Sequence, residues 1–151
     1  MDRAEAYNHL DWVWKELRAA EMAVAEALRV VRVRPAVLRV ESRSEITVGV
    51  LQRCQGNLEL TYVIRLFAEF EGILLDYWQN RLGRVTRPRV SRLIERIAAA
   101  RRTSPEVHQA TDEVREHRNK IVHEQTQTKR LRFKECLTRL RHFLSWLPPK
   151  W

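Results

Sequence analysis

The chain has 151 residues, of which 44% are hydrophobic and 31% charged, with four glycines and a formal charge of +9. This length suits one domain with its own core, and the abundance of Ala, Leu, Arg and Glu predicts an all-α protein rather than a disordered or strand-rich one. No stretch has the pattern of a membrane span or a signal peptide, so we expect a cytoplasmic protein.

Hydrophobic periodicity predicts the first two helices. Apolar residues at three- and four-residue steps define a helix over residues 2–32, which ends before Pro35. Residues 36–56 are expected to form a loop with some helical turns, although "ITVGVL" has β-branched character. Asn57 is predicted as the N-cap of a second, strongly apolar helix that ends near Leu82.

Two further helices are predicted from their start signals. The segment "TRPRVSRLIERIAAARR" places a helix start at Thr86 or Arg87, just before a proline. Ser104 as an N-cap, with Pro105 at the first helical position, opens the next helix, which continues to about His123.

A last amphipathic helix is expected from Lys129 to Leu147, where two prolines stop it. There is no internal repeat. We therefore predict a single domain over residues 1–151, an all-α bundle of four or five helices.

Positive charge is concentrated in two segments. Residues 81–102 hold eight arginines against Glu95, and residues 129–141 hold six basic residues against Glu135, giving +7 and +5, while the rest of the chain sums to −3. Such segments suit a polyanion such as RNA, unless they are only solvated helix faces. The predicted substrate-binding residues are Arg84, Arg87, Arg89, Arg92, Lys120, Lys129 and Arg130.

The stretch "REHRNKIVHE" at residues 115–124 places Arg118 and His123 in one helix. A chain with 23 arginines and five histidines contains about 0.8 such pairs by chance, so the spacing alone has little weight. The two side chains project roughly 140° apart on a regular helix. They can serve one small group only if the helix loosens near His123, if Arg118 reaches around, or if a second copy of the chain contributes.

The cysteines and histidines give no sign of a metal site. Cys54 and Cys136 form no CxxC pattern, and no histidine spacing matches a set of metal ligands. No metal and no cofactor are therefore expected.

"RNKIVH" in a helix, preceded by "VIRLFAEFEGILLDYW" and followed by a closing amphipathic helix, resembles the HEPN superfamily. The resemblance covers a core of residues 57–147, which residues 1–35 precede as an N-terminal helix. The helix with Phe70 and Glu71 is similar to the RiboL-PSP-associated and MAE-type groups. A tyrosine found two positions after the histidine in one toxin subfamily is replaced by Gln125, which argues against that subfamily's regulation.

The resemblance implies an HEPN-like helical bundle that is commonly dimeric. Many members of the superfamily are metal-independent endoribonucleases of toxin, abortive-infection or defence systems, and others bind nucleotides or serve as scaffolds. It therefore implies RNA, a second copy of the chain and an antitoxin or defence-system protein as partners. Its two functional alternatives are an endoribonuclease and a non-catalytic RNA-, nucleotide- or protein-binding scaffold.

Catalysis by attack of the ribose 2′-hydroxyl needs a proton carrier near neutral pH and a cation on the phosphate oxygens. His123 would move the protons, Arg118 would stabilise the phosphorane and Asn119 would orient the imidazole or the ribose. Glu71 is predicted either to pair with a cation at the site or to reach water from the edge of the apolar stripe. In the structural alternative, Arg118 pairs with a core-edge carboxylate and His123 caps the helix end.

Overall fold

The architecture is a bundle of α-helices in a computed structural model that describes residues 1–36, 46–123 and 131–151. Within these residues there are five α-helices and no strand, which confirms the predicted class and helix number. The helices are α1 (Arg3–Val33), α2 (Val48–Asp76), α3 (Val90–Arg101), α4 (Pro105–Val122) and α5 (Phe133–Ser145). None of the described helices is long and apolar enough to cross a membrane.

Helix α1 matches the predicted span and starts at a capping box. The Asp2 carboxylate accepts a hydrogen bond from the Glu5 amide at 2.8 Å, and the Glu5 carboxylate accepts one from the Asp2 amide. These reciprocal bonds satisfy amide groups that have no partner inside the helix.

Helix α2 begins well before the predicted start. Thr47 is the N-cap, and its hydroxyl accepts a hydrogen bond from the Val50 amide at 3.2 Å, whereas Asn57 lies inside the helix. The predictions of a loop over residues 48–56 and of Asn57 as N-cap are therefore wrong. The remainder of the predicted loop, residues 37–45, lies outside the described residues.

The first turns of α2 begin at the Thr47 cap and are little buried, since residues 48–56 are exposed except for the half-buried Leu51. Helices α1 and α2 run antiparallel, since Glu16 contacts Arg65 at 3.0 Å and His9 contacts Glu69 at 3.7 Å. Leu28 and Val31 are also buried, although they lie outside the main core. The buried face of α1 therefore extends past that core towards the end of the helix.

The end of α2 is irregular. It continues into a π-helical turn at Tyr77–Arg81, and the chain then reverses at Gly83, whose φ of +59° is a left-handed conformation that glycine adopts at low cost. The buried Trp78 indole donates a hydrogen bond from Nε1 to the Thr86 carbonyl at 2.9 Å. This bond holds the segment after α2 against the helix.

Helix α3 starts at Val90, later than the predicted Thr86 or Arg87. The Thr86 carbonyl is already engaged by the Trp78 indole, and Pro88 disfavours helical backbone at the residue before it. The predicted start of α4 is confirmed, because the Ser104 hydroxyl accepts the Val107 amide and Pro105 follows in the first turn.

Helix α5 covers a shorter span than the predicted range from Lys129 to Leu147, and Lys129 lies outside the described residues. A carboxylate oxygen of Glu59 on α2 accepts a hydrogen bond from the amide of Phe133 at 2.9 Å, so α2 supplies a cap for α5. Aromatic contacts then close the core. Phe133 stacks on Trp14 at 5.5 Å between ring centroids, and Phe143 meets Phe70 edge-on at 5.7 Å.

Candidate functional site

Arg118 lies half-buried on α4, and its side chain makes two contacts. Its guanidinium carbon lies 5.8 Å from the centre of the Phe67 ring on α2. Its Nη1 donates a hydrogen bond to Oδ1 of Asn119 at 2.9 Å, while its buried Nε has no hydrogen-bond partner among the described residues. The guanidinium thus rests on α2 and is turned towards the side of α4 that carries Asn119.

His123 stands at the C-terminal end of the same helix. Helix α4 ends at Val122, and His123 is the exposed C-cap residue, with its amide donating to the Asn119 carbonyl at 3.0 Å. Asn119 and His123 are one turn apart, so their side chains project from the same face. The helix ends next to His123, and Arg118 bonds to the adjacent Asn119. No contact between Arg118 and His123 themselves occurs in the described structure.

Among the described residues, Glu71 forms no bond with the motif. It is half-buried on α2, and no described residue forms a hydrogen bond or an ion pair with it. Of the two alternatives predicted for Glu71, pairing with a cation is therefore absent from the described residues, and the half-exposed position agrees with the one in which this carboxylate reaches water.

Arg118 differs from its neighbour Arg115 in having no carboxylate partner among the described residues. The Arg115 side chain donates to both oxygens of Asp112, at 2.6 and 3.2 Å, and this pairing lowers the pKa of the Asp112 carboxyl. Arg118, by contrast, contacts no carboxylate among the described residues. Its charge is therefore not neutralised by any described carboxylate.

The first basic segment, residues 81–102, borders a groove between the end of α2 and α3. Two adjoining cavities of about 700 and 540 Å³ share Thr86 and Arg96. The larger cavity is lined by Trp78, Leu82, Gly83, Arg84, Val85, Thr86, Arg96 and Ala100. The smaller one is lined by Thr86, Arg87, Pro88, Arg89, Arg92 and Arg96. We call the two cavities together the arginine groove, and all four arginines predicted in this segment line it.

The two basic segments differ in how their charges are balanced. The described arginines of the second segment are each paired with a carboxylate of another helix, namely Arg132 with Glu59, Arg139 with Glu113 and Arg141 with Asp11. No arginine of residues 81–102 forms an ion pair with any described carboxylate. The arginines of the first segment are therefore the ones that no described carboxylate neutralises, and five of them line the arginine groove.

The remaining predicted residues lie elsewhere or outside the described chain. Lys120 is exposed and lines a separate cavity of about 200 Å³ together with Glu113, Glu116, His117 and Leu131. Lys129 and Arg130 lie outside the described residues. In the residues that the structure does describe, no three His, Cys, Asp or Glu side chains form a group that could hold a metal ion.

Sequence analysis did not single out Arg96, which lines both halves of the groove. Its guanidinium carbon lies 5.7 Å from the centre of the Trp78 ring. Arg96 could have been predicted from its position one helical turn after Arg92, because this spacing places both side chains on one face of α3. Trp78 and Leu82 line the groove at the π-helical turn, and no pattern in the sequence predicts that turn.

The groove and the motif occupy different parts of the molecule. Trp78 follows Phe67, the residue that Arg118 contacts, by 11 residues along α2 and the turn after it. This separation is roughly 16 Å along a helix axis.

Comparison of the chain with protein-family models, with curated proteins and with solved structures gives no match.

Proposed function

We propose that the protein is a metal-independent endoribonuclease of a toxin or defence type, of the kind found in the HEPN superfamily. The observation that carries the proposal is the 2.9 Å hydrogen bond from Arg118 to Asn119, because it turns the guanidinium towards the face that Asn119 shares with His123. A phosphate bound at this face would meet a fixed cation and an imidazole from one helix end.

The chemistry needs only these side chains. His123 would accept the proton of the ribose 2′-hydroxyl, whose oxygen attacks the adjacent phosphorus, and protonation of the departing 5′-oxygen would complete the step. Arg118 would stabilise the negative charge on the non-bridging oxygens, and Asn119 would hold the guanidinium and orient the imidazole or the ribose. The products are a 2′,3′-cyclic phosphate and a 5′-hydroxyl.

A second copy of the chain would complete the site in this proposal. His123 is exposed and adjoins Val122, an apolar side chain that is 46% exposed. Two such helix ends meeting across a twofold axis would cover the valines and would bring two sets of Arg118, Asn119 and His123 into one cleft. An antitoxin or another defence-system protein would control this activity in the cytoplasm.

The alternative function is a non-catalytic module that binds RNA, a nucleotide or a protein. It is favoured by the packing of Arg118, whose Nε is buried and whose guanidinium rests on Phe67. In that case Arg118 stabilises the fold, and the arginine groove alone holds the ligand.

Cleavage of RNA in the presence of EDTA tests the two functions against each other. Purified wild-type protein, His123→Ala and the control variant His108→Ala are incubated with RNA, and the fragment ends are analysed. We expect 2′,3′-cyclic phosphate ends from the wild type and from His108→Ala, and no fragments from His123→Ala. Absence of cleavage by all three proteins, with RNA binding intact, would support the non-catalytic module instead.

A further inference from the structure

The arginine groove has two chemically different halves. Trp78, Leu82, Val85 and Ala100 give the larger cavity an apolar lining, whereas the smaller cavity is bordered by arginines and a proline. Val85 is 95% exposed, so this apolar lining reaches solvent. A ligand that fills both halves must carry an apolar, flat or compact part next to several negative charges.

The charge of the groove is not balanced from within the protein. Five arginines line the two cavities, and none of them is paired with a described carboxylate. The nearest acid in the sequence, Glu95, is exposed and forms no ion pair with a described residue. The groove as a whole therefore attracts an anion, and its five positive charges exceed what one phosphate group balances.

Arg96 joins the two halves. Its guanidinium lies over the Trp78 ring, at 5.7 Å from the ring centre, and the residue is exposed. The opposite face of this planar group is a surface on which a nucleobase can stack, as bases do on arginine and aromatic side chains in proteins that bind single strands.

We propose that the arginine groove binds single-stranded nucleic acid, with one unstacked base in the apolar half beside Arg96 and the neighbouring phosphates in the half lined by Arg87, Arg89 and Arg92. A cavity of about 700 Å³ lies within the size range of small-ligand pockets and has room for a base. Bases in a duplex are stacked and paired, so they cannot enter it. The inference rests on the proposed function in taking the strand to be RNA, but it does not require cleavage.

The test measures binding of a labelled 2′-O-methyl decaribonucleotide, which cannot be cleaved by attack of a 2′-hydroxyl. Ala100→Trp fills the apolar half without changing the charge, and Ala99→Trp places the same bulk on an exposed neighbouring position of α3 outside the groove. We expect Ala100→Trp to weaken binding on the order of tenfold, and Ala99→Trp to leave it within about twofold. Equal binding by both variants would overturn the base site.

A second pair of variants tests the phosphate half. Arg92→Gln removes a charge from the groove, and Arg53→Gln removes one from an exposed position near the other end of α2. The slope of log affinity against log salt concentration should fall by about 0.7 for Arg92→Gln, the value for one phosphate contact on a single strand. An unchanged slope for Arg92→Gln, or an equal change for Arg53→Gln, would contradict the proposed contact.

Two competitors distinguish the possible sources of the nucleotide. AMP and a duplex of the same sequence should both compete poorly with the decamer. Displacement by AMP at the concentration of the decamer would identify a free nucleotide as the ligand, and equal binding of the duplex would exclude a single-strand site. The decamer resists cleavage, so its binding is measured independently of nuclease activity. If the groove binds the decamer but the protein cleaves no RNA, the nuclease function is wrong and the groove inference stands. If the protein cleaves RNA and Ala100→Trp changes neither cleavage nor binding, the groove inference is wrong and the nuclease function stands.

Discussion

Arg118 packs on Phe67, and the effect of this contact on stability can be measured separately from its proposed role in catalysis. Its guanidinium packs on Phe67, and such a contact, together with the hydrogen bond to Asn119, contributes about 1–2 kcal/mol when partly buried. We therefore predict that Arg118→Ala lowers the free energy of unfolding by this amount in urea denaturation. Arg53→Ala, at an exposed position without an ion pair, should change it by less than about 0.5 kcal/mol. Equal stability of both variants and the wild type would contradict the packing role.

Cys136 gives a prediction for thiol chemistry. Burial raises the pKa of this thiol to about 12, whereas Cys54 is exposed. At pH 8 we expect one thiol per chain to react rapidly with a chromogenic disulfide and the second to react only after unfolding. In Cys54→Ser, the rapid reaction should disappear. Rapid reaction of two thiols in the native wild type would contradict the buried position of Cys136.

The raised pKa of Cys136 also determines how this residue makes the free energy of unfolding depend on pH. The folded chain keeps the thiol neutral, whereas an unfolded thiol ionises near a pH of about 8.5. The contribution of the neutral thiol to the free energy of unfolding is therefore fully present below this pH, and it declines as the pH rises towards about 12.

At the scale of an element, the start of α2 is the sharpest difference between sequence and structure. Thr47 caps the helix, and Asn57 lies exposed inside it. Thr47→Ala should lower the free energy of unfolding by about 1 kcal/mol, because a capping bond is lost. Asn57→Ala should be neutral or slightly stabilising, since alanine is the better helix former. The opposite order of stability in urea denaturation would support a helix start at Asn57.

Local signals predicted the starts of α1 and α4. Ser104 and Pro105 act through bonds and backbone angles within a few residues, so the sequence alone identifies them. The start of α2 was predicted ten residues too late, because the β-branched residues after Thr47 have low helix propensity. The Thr47 hydroxyl, which accepts the Val50 amide, is itself a local capping signal for the true start.

At the scale of the whole molecule, the sequence could not distinguish the two basic segments. The partners that neutralise the second segment, Glu59, Glu113 and Asp11, lie 73, 26 and 130 residues from their arginines. Only folding brings these charges together. The predicted arginines of the first segment do line one groove, but its apolar half depends on the turn after α2.

The proposed dimer makes a further prediction at this scale. If two copies meet at their α4 C-termini, His123→Cys in a Cys54→Ser background should form an intermolecular disulfide under mild oxidation, which requires Cα atoms within about 7 Å. Gln109→Cys, exposed near the other end of α4, is the matched control and should remain monomeric on a non-reducing gel. Cross-linking of the control but not of His123→Cys would place the interface elsewhere.

The most direct test of the central claim, that His123 promotes attack by a ribose 2′-hydroxyl, uses a labelled oligonucleotide with one unmodified ribonucleotide among 2′-O-methyl residues. In EDTA, the wild type and His108→Ala should cut it once, immediately 3′ of that ribonucleotide, and leave a 2′,3′-cyclic phosphate, whereas His123→Ala should leave it intact. Cleavage by His123→Ala, or cleavage at a methylated position, would contradict the proposed mechanism. An intact substrate with all three proteins, under conditions in which the strand is bound, would contradict the nuclease function itself.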